Sequence, residues 1–393
     1  MSVKPPPPFV LVLLAIGAGL SAANLYYNQP MLGLLAQAFD TTEARIGLVP
    51  MATQAGYAVG ILGFAPIGDR FERSRVIAIK GAVLVAALAM VGLAPTFEVL
   101  VFGSFVIGLF ATIAQDFVPA AAAIAPSESR GKVVGRVMTG LLTGILLSRV
   151  VSGAAGGRFG WRAMFLSAAV VMAIFVVICT RSLPRFPPTT NEPYGRLLAS
   201  TLGLVRTNPE LRRAALAQAF LSIAFSGYWS TLALALQAPP FHLGSAVAGT
   251  FGLAGAAGAI GASVFGPLAD RRGPESVIRL GAALVVIAFA FMAALPSSLV
   301  ALALGAIVFD LGTSGALIGH QTIVYGLDPA ARSRLNAVLV TSMFLGMATG
   351  AWLASQMLAR YGWVGVCVLG GLSGVACLIV RFTSARPSDQ PAH

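Results

Sequence analysis

Charge is scarce in this 393-residue chain: Asp, Glu, Lys and Arg together make up 10% of it, and only 14 residues are acidic. Soluble domains carry about a quarter charged residues, so a chain with water on all sides is excluded. Cysteine is nearly absent. Cys179, Cys367 and Cys377 all fall in apolar stretches, with no metal-ligand spacing and no partner in an exported loop. They read as small apolar helix residues, and a disulfide framework or a thiolate metal site is excluded. Three histidines without a His-Glu-x-x-His pattern offer no zinc route, and no Gly-x-x-x-x-Gly-Lys-Ser/Thr loop is present to cradle a nucleotide, so no cofactor and no ATP-driven cycle is expected. The net charge of +12 has no soluble basic face to sit on, which argues against a nucleic-acid partner.

What the chain has in abundance is apolar surface, 57% hydrophobic residues with a mean hydropathy of +0.85. That surface has no soluble core large enough to hide it, so lipid must be the solvent. A helix needs about 20 apolar residues to cross a hydrocarbon layer of roughly 30 Å. Twelve such segments are expected at 9–37, 44–68, 75–95, 97–124, 131–157, 162–180, 212–237, 245–269, 275–295, 298–326, 335–359 and 362–382. Residues 9–23, ending in Ser21-Ala22-Ala23, resemble a cleavable leader, but the polar cluster that follows continues within a longer apolar helix and reads as a retained span. Of the 26 Lys and Arg, Arg45, Arg158, Arg162 and Arg360 fall in loops opposite the N-terminus and Arg149 lies inside a span; all others lie on the N-terminal side. The positive-inside rule then places both termini in the cytoplasm of a bacterial inner membrane, with the basic loops near lipid headgroups.

An internal repeat organises the chain. Gly63-Phe-Ala-Pro-Ile-Gly-Asp69-Arg70-Phe-Glu-Arg73 follows the second segment, and Gly266-Pro-Leu-Ala-Asp270-Arg271-Arg272-Gly273 follows the eighth, Asp69 and Asp270 being 201 residues apart. Arg130-Gly-Lys-Val-Val pairs with Arg332-Ser-Arg-Leu-Asn, and Phe159-Gly160-Trp161 with Tyr361-Gly362-Trp363, both at a spacing of 202. Three matches at one period indicate duplication. The expected division is a six-helix bundle over 1–185, a cytoplasmic linker over 186–210 with a short amphipathic helix near 194–205, and a second bundle over 211–393.

With twelve segments, a 6+6 duplication and Gly-x-Leu-Ala-Asp-Arg-x-Gly over 266–273, the whole chain resembles the major facilitator superfamily. Asn24-Leu-Tyr-Tyr-Asn-Gln-Pro30 and Gly140-Leu-Leu-Thr-Gly144-Ile-Leu-Leu-Ser-Arg149 resemble its bacterial exporter-like branch of sugar-efflux and drug/proton antiporter relatives, although Ile145 replaces a proline of that branch and Ser104 an arginine. The resemblance implies an all-α membrane fold of two pseudo-symmetric bundles. It also implies that the N-terminus of the eleventh helix approaches the end of the second, and that of the fifth the end of the eighth. A carboxylate at the C-terminal end of its own helix opposes the helix dipole. Asp69 and Asp270, with Arg70, Arg73, Arg271, Arg130 and Arg332 nearby, are therefore expected to latch the cytoplasmic side shut against the positive ends of those helices.

Apart from tyrosines and cysteines, four ionisable side chains fall deep within apolar segments, Asp116, Arg149, Asp310 and His320, and each needs a cavity or a partner because a buried charge costs at least a few kcal/mol on insertion scales. At 1.5 Å per residue, Asp310 lies roughly 25 Å and Arg149 roughly 20 to 28 Å from the cytoplasmic side. Matching depth makes them candidates for a proton-sensitive pair across the two halves. Asp116 lies about 13 Å in and is assigned to the inner half of the path. Asp310, Thr313, Ser314 and Gln321 point within about 60° of one direction, a polar stripe on the tenth helix. Asn24, Tyr27 and Asn28 share one face of the first helix, Gln218, Ser222 and Ser226 share one of the seventh beside Tyr228 and Trp229, and Gln54 and Tyr57 are neighbours on the second. All are candidate cavity residues, with the aromatics offering an organic substrate flat contact. Trp161 and Trp363, at segment ends, read as interfacial anchors.

A different class is weighed through Gly312-Thr313-Ser314-Gly315, which fits a pattern of intramembrane serine proteases. His320, about 9 Å further along the same helix and rotated away, cannot serve Ser314 as base. The expected function is therefore not enzymatic. It is secondary transport of a small organic molecule by a monomer, coupled to protons and directed outward, with uptake by symport or facilitated diffusion as the alternative that the fold equally permits.

Overall fold

The computed structural model describes residues 8–383 apart from 65, 66, 127, 189, 191, 329 and 330; within helices the side chains of 69, 256–260, 262 and 263 also lie outside the description. The described chain is helical throughout. Among the described residues, nine helices are long and apolar enough to cross a membrane. Glu43–Phe64, Arg73–Gly92, Phe97–Ile124, Arg130–Phe159, Trp161–Ser182, Pro209–Gln237, Pro274–Ala294 and Leu299–Leu327 each supply one crossing, and Arg332–Phe382 supplies two. The remaining two crossings, the first and the eighth, are built from shorter pieces.

The interruptions follow from sequence. In the first crossing, Pro8–Ala23 gives way to a turn over 24–28, a 3-10 turn at Gln29–Met31 and then Leu32–Ala38. Asn24 turns its amide back to the Leu20 carbonyl at 2.7 Å, and Pro30 has no N–H to give the ladder. The eighth crossing runs Ser245–Thr250, a 3-10 stretch Phe251–Gly255, then Ala256–Arg272. The hairpins that close the fifth–sixth and eleventh–twelfth pairs turn at Gly160 (φ 84°) and Gly362 (φ 62°), members of the repeated Gly-Trp motif. Those dihedrals are strained for any residue with a Cβ, which explains why glycine stands at both.

Helix starts are capped where the polar punctuation falls: Thr42, Thr96, Asn208 and Ser298 each accept a backbone N–H three residues on. A separate helix, Tyr194–Thr207, connects the sixth crossing to the seventh, and its Tyr194 hydroxyl bonds the Gly63 carbonyl at the end of the second.

The ends of the second bundle on the side of the chain termini are stapled by charge. Arg381, fully buried, reaches Glu210 of the seventh crossing at 3.0 Å and Glu275 of the ninth, while Arg213 donates to the Arg381 carbonyl at 2.8 Å. Trp161 and Trp363 correct the reading as interfacial anchors: both are buried, Trp161 against Phe39 and Trp363 against Tyr228. Each sits at a segment end in the sequence but faces inward, because the glycine turn before it folds the next helix back onto the bundle.

Candidate functional site at the junction of the two bundles

The bundles meet on the side away from the termini. Gly33 packs on the Gln237 side chain, Gly47 on Ser355, and Gly153 on Ser245 and Gly249, while Gln356 donates to the Ala44 carbonyl at 3.0 Å and Ser245 to that of Gly153 at 3.1 Å. On the terminal side Ile61 of the second crossing packs with Ala337 and Val340 near the start of the eleventh. A cleft of about 250 Å³ opens there between the second, third and fourth crossings and the eleventh, lined by Arg73, Lys80, Gln115, Asp116, Ser333 and Asn336.

Above that cleft, at mid-depth, Arg149 crosses from the first bundle toward the second. The broken eighth crossing makes room for it: a Cβ on Gly252 would stand 2.8 Å from that of Arg149. Its Nε donates to Gln29 Oε1 at 2.8 Å, and its guanidinium carbon lies 4.7 Å from the Tyr26 ring centre and 4.3 Å from that of Trp229. The charge is thus held between one aromatic face from each bundle, contacts worth about 0.5–2 kcal/mol each. Its Nη2 is buried with no hydrogen-bond partner among the described residues. Asp310, 4% exposed, takes a long bond from Trp229 Nε1 at 3.4 Å.

Arg149 and Asp310 come together as their depths suggested, yet form no ion pair. Both reach one point: a Cβ on Gly255 would lie 3.3 Å from Asp310 Oδ2, 3.9 Å from Trp229 Cζ2 and 4.0 Å from Arg149 Nη1. Four crossings and both bundles therefore contribute to one small gap that holds a free cationic edge and a free carboxylate oxygen. Gln29 and Tyr26 carry no sequence signal for this role beyond their place in the Asn24–Pro30 run.

The other candidates disperse. Asn24 and Tyr27 line a separate cavity of about 650 Å³ between the first, fifth and sixth crossings, with Gly19, Thr143, Ser148 and Met172. Its rim residues Val12, Ile16, Val151 and Val171 are exposed and apolar, so it opens sideways toward lipid and not onto the junction. Asn28 instead donates to Thr53 of the second crossing at 2.9 Å. The shared face expected for the three fails because residues 24–28 form a turn, where 100° per residue no longer applies.

Gln54 is buried with an unpartnered Oε1, and Tyr57 accepts from Gln115 at 3.0 Å while stacking on Phe344 of the other bundle, ring centres 4.2 Å apart. Gln218 bonds His320 Nδ1 at 2.9 Å within the second bundle, while His320 Nε2 is buried with no hydrogen-bond partner among the described residues. Ser222 bonds the Gln218 carbonyl and Ser226 lies against Ser230, both on their own helix. Thr313 likewise bonds the Asp310 carbonyl, Ser314 faces Gly261 of the eighth crossing, and Gln321 is half-buried further along.

Asp116 has a charged partner on a neighbouring crossing. Lys80 Nζ of the third crossing lies 2.7 Å from its Oδ2, with 7% and 8% of the two side chains exposed. Beside them Arg73 is buried and donates to the Gly68 carbonyl from Nε and Nη2. Among the remaining latch candidates Asp270, Arg271, Arg130 and Arg332 are exposed; Arg332 bonds the Tyr325 carbonyl of its own bundle, and Arg70 rests on Phe71. Among the described residues, none of these five makes a polar contact with the opposite bundle. The Asp69 side chain lies outside the described residues.

The comparisons agree with this architecture. The family model described as Major Facilitator Superfamily matches residues 14–325 and again 214–393, the second match falling on the repeated half. The chain is 37% identical over 373 residues to the uncharacterized transporter YgaY of Escherichia coli O157:H7, covering 95% of each chain. It is 33% identical over 381 residues to the probable transporter SCO4007 of Streptomyces coelicolor, covering 96% of this chain and 87% of the other. In fold it is similar to the crystal structure of a point mutant of the nucleoside transporter NupG, with a TM-score of 0.77 at 16% identity, covering 95% of this chain and 98% of that one. The duplicated bundles, the matched family and these relatives lead to one conclusion: the chain belongs to the major facilitator superfamily and is a multi-pass membrane transporter, not an enzyme.

Proposed function

We propose that the chain exports a small organic molecule across a bacterial inner membrane in exchange for protons, working by alternating access as a monomer. One observation carries this reading: Asp310 and Arg149, buried opposite charges from opposite bundles, converge on the gap at Gly255 without pairing. A carboxylate so placed is neutralised by closing on the arginine, by a bound proton or by a bound ligand. Those three occupancies exclude one another, and exclusion between proton and substrate is what exchange requires. Among the described residues the one charge facing Asp310 is Arg149, with the Tyr26 and Tyr228 hydroxyl-bearing rings near them.

The basic terminal-side loops favour the cytoplasm for that face, which makes the cleft beside Lys80 and Asp116 the cytoplasmic one. Residues 1–185 and 211–393 then rock as two units, with 186–210 as a tether held to the first through Tyr194 and the Phe186 carbonyl, which accepts from Arg73 N–H, and to the second through Leu204 and Val205, which pack near Leu211 and Leu335. Closure of the terminal side would engage Asp69 and Asp270 with the ends of the eleventh and fifth helices.

Reconstituted vesicles with a broad compound panel and an imposed pH gradient test the reading. A substrate should move against the direction of proton flow, and Asp310→Asn should abolish the response to the gradient. Movement along the proton flow would establish symport instead, and indifference to the gradient facilitated diffusion.

A further inference from the structure

The junction offers one cation and one carboxylate, each with an unused edge, both touching Trp229 but with no ion pair between them. Arg149 holds its Nε on Gln29, which leaves Nη1 facing Gly255 and Nη2 buried without a partner. Two free N–H edges on one planar guanidinium form the fork that a carboxylate fits. Asp310 spends Oδ1 on Trp229 and directs Oδ2 at the same gap.

The gap itself is kept by the absence of a side chain at Gly255. That residue has φ −62° and ψ −15°, ordinary right-handed helical values open to any amino acid, so its backbone gives no reason for glycine. What a side chain there would do is fill the space between Asp310, Trp229 and Arg149.

Resting on the proposed reading of this junction as the transport site, we infer that the substrate is a zwitterion of the α-amino-acid type, its carboxylate on Arg149 and its ammonium on Asp310. Three features select this chemistry. A zwitterion meets both buried charges and leaves the site neutral, whereas a lone anion or cation leaves one of them unpaired in low dielectric. The spacing is short: Nη1 lies 4.0 Å and Oδ2 3.3 Å from the Cβ position of Gly255, so the two stand no more than 7.3 Å apart, and charge-assisted hydrogen bonds of about 2.7–2.9 Å on each side favour ligand charges held close together. The ammonium would also occupy the oxygen that a proton otherwise takes, so substrate and proton compete for Asp310 directly.

The test uses the purified full-length protein in vesicles, with binding read by thermal shift and transport by counterflow. The probes are a set of L-α-amino acids, the amide of each (cation only), the deaminated acid of each (anion only), and γ-aminobutyrate, whose charges stand further apart. At least one amino acid should bind about tenfold or more tightly than its own amide and its own deaminated acid, the loss expected for one charge-assisted contact, and γ-aminobutyrate should bind more weakly than that amino acid. Asp310→Asn should reverse the order so that the deaminated acid outbinds the amino acid. Gly255→Leu should abolish binding; if that variant does not remain monodisperse, Gly255→Ala, whose methyl would stand 3.3 Å from Oδ2, should still weaken it. The inference is overturned if no amino acid binds, if amide or acid equals the amino acid, or if Asp310→Asn leaves the order unchanged. A compound lacking one of the two charges but driven by the pH gradient would sink this inference and leave proton-coupled export standing; amino-acid counterflow indifferent to the gradient would do the opposite.

Discussion

Lys80 and Asp116 form a buried ion pair whose energetics can be worked through. At a separation of 2.7 Å and an effective dielectric near 20, their gross attraction is about 6 kcal/mol, while taking each ion out of water costs several kcal/mol. The net value of the pair is therefore small, but removing one member is not. Lys80→Met leaves the Asp116 carboxylate buried without its ammonium and should destabilise by about 3–5 kcal/mol. The lower end applies, because the pair walls the terminal-side cleft and water can reach a stranded charge there. Asp116→Leu should cost a similar amount. The double variant Lys80→Met/Asp116→Leu should return to within about 1–2 kcal/mol of the parent, since both desolvation penalties disappear together. Unfolding of all four proteins in one detergent, followed by tryptophan fluorescence, gives the cycle. A loss below about 1 kcal/mol in the single variants, the range of exposed pairs, would refute burial as the governing factor. Transport in the double variant separates two roles: restored stability with a lost response to the pH gradient assigns Asp116 to the proton path, and full activity leaves the pair structural.

Asp270→Asn should slow turnover without loss of insertion, because it weakens the closed terminal side; paired probes on the ends of the fifth and eighth helices should show a larger open population, and an unchanged distance distribution with unchanged transport would dispose of the latch. Exchanging the junction charges as Arg149→Asp with Asp310→Arg should recover folding relative to either single change but not gradient-driven transport; recovery of both would make the two residues a static counter-ion pair. Gly252→Val should cut transport at least tenfold, because its Cβ would stand 2.8 Å from that of Arg149 and the fifth and eighth helices must separate, an overpacking cost of about 1–3 kcal/mol; wild-type turnover in that variant would show the close approach to be unimportant.

The sequence by itself determined the solvent, the number of crossings and the duplication. These are one-dimensional properties: an apolar run of fixed length must cross lipid, and a motif repeated at 201–202 residues survives any folding. It also brought Arg149 and Asp310 to one depth, because rise per residue is constant along a helix. The same arithmetic finds Lys80, about 10 Å from the start of the third crossing at Arg73, beside Asp116 at about 13 Å. That signal, a lysine in an apolar run, is legible in the sequence, but segment length and mean hydropathy alone do not reveal it.

What depth does not supply is azimuth. Which face of each helix meets which neighbour was decided by packing: Gly252 admitting Arg149, Tyr57 stacking on Phe344, His320 turning to Gln218 within its own bundle. Where the helix breaks, even local azimuth is lost. Residues 24–28 form a turn, so Asn24 and Tyr27 face a lateral cavity, Asn28 meets Thr53, and Gln29 reaches Arg149. Only the tertiary structure placed the gap at Gly255, since its three walls, Asp310, Trp229 and Arg149, are brought together by contacts between bundles that no local periodicity encodes.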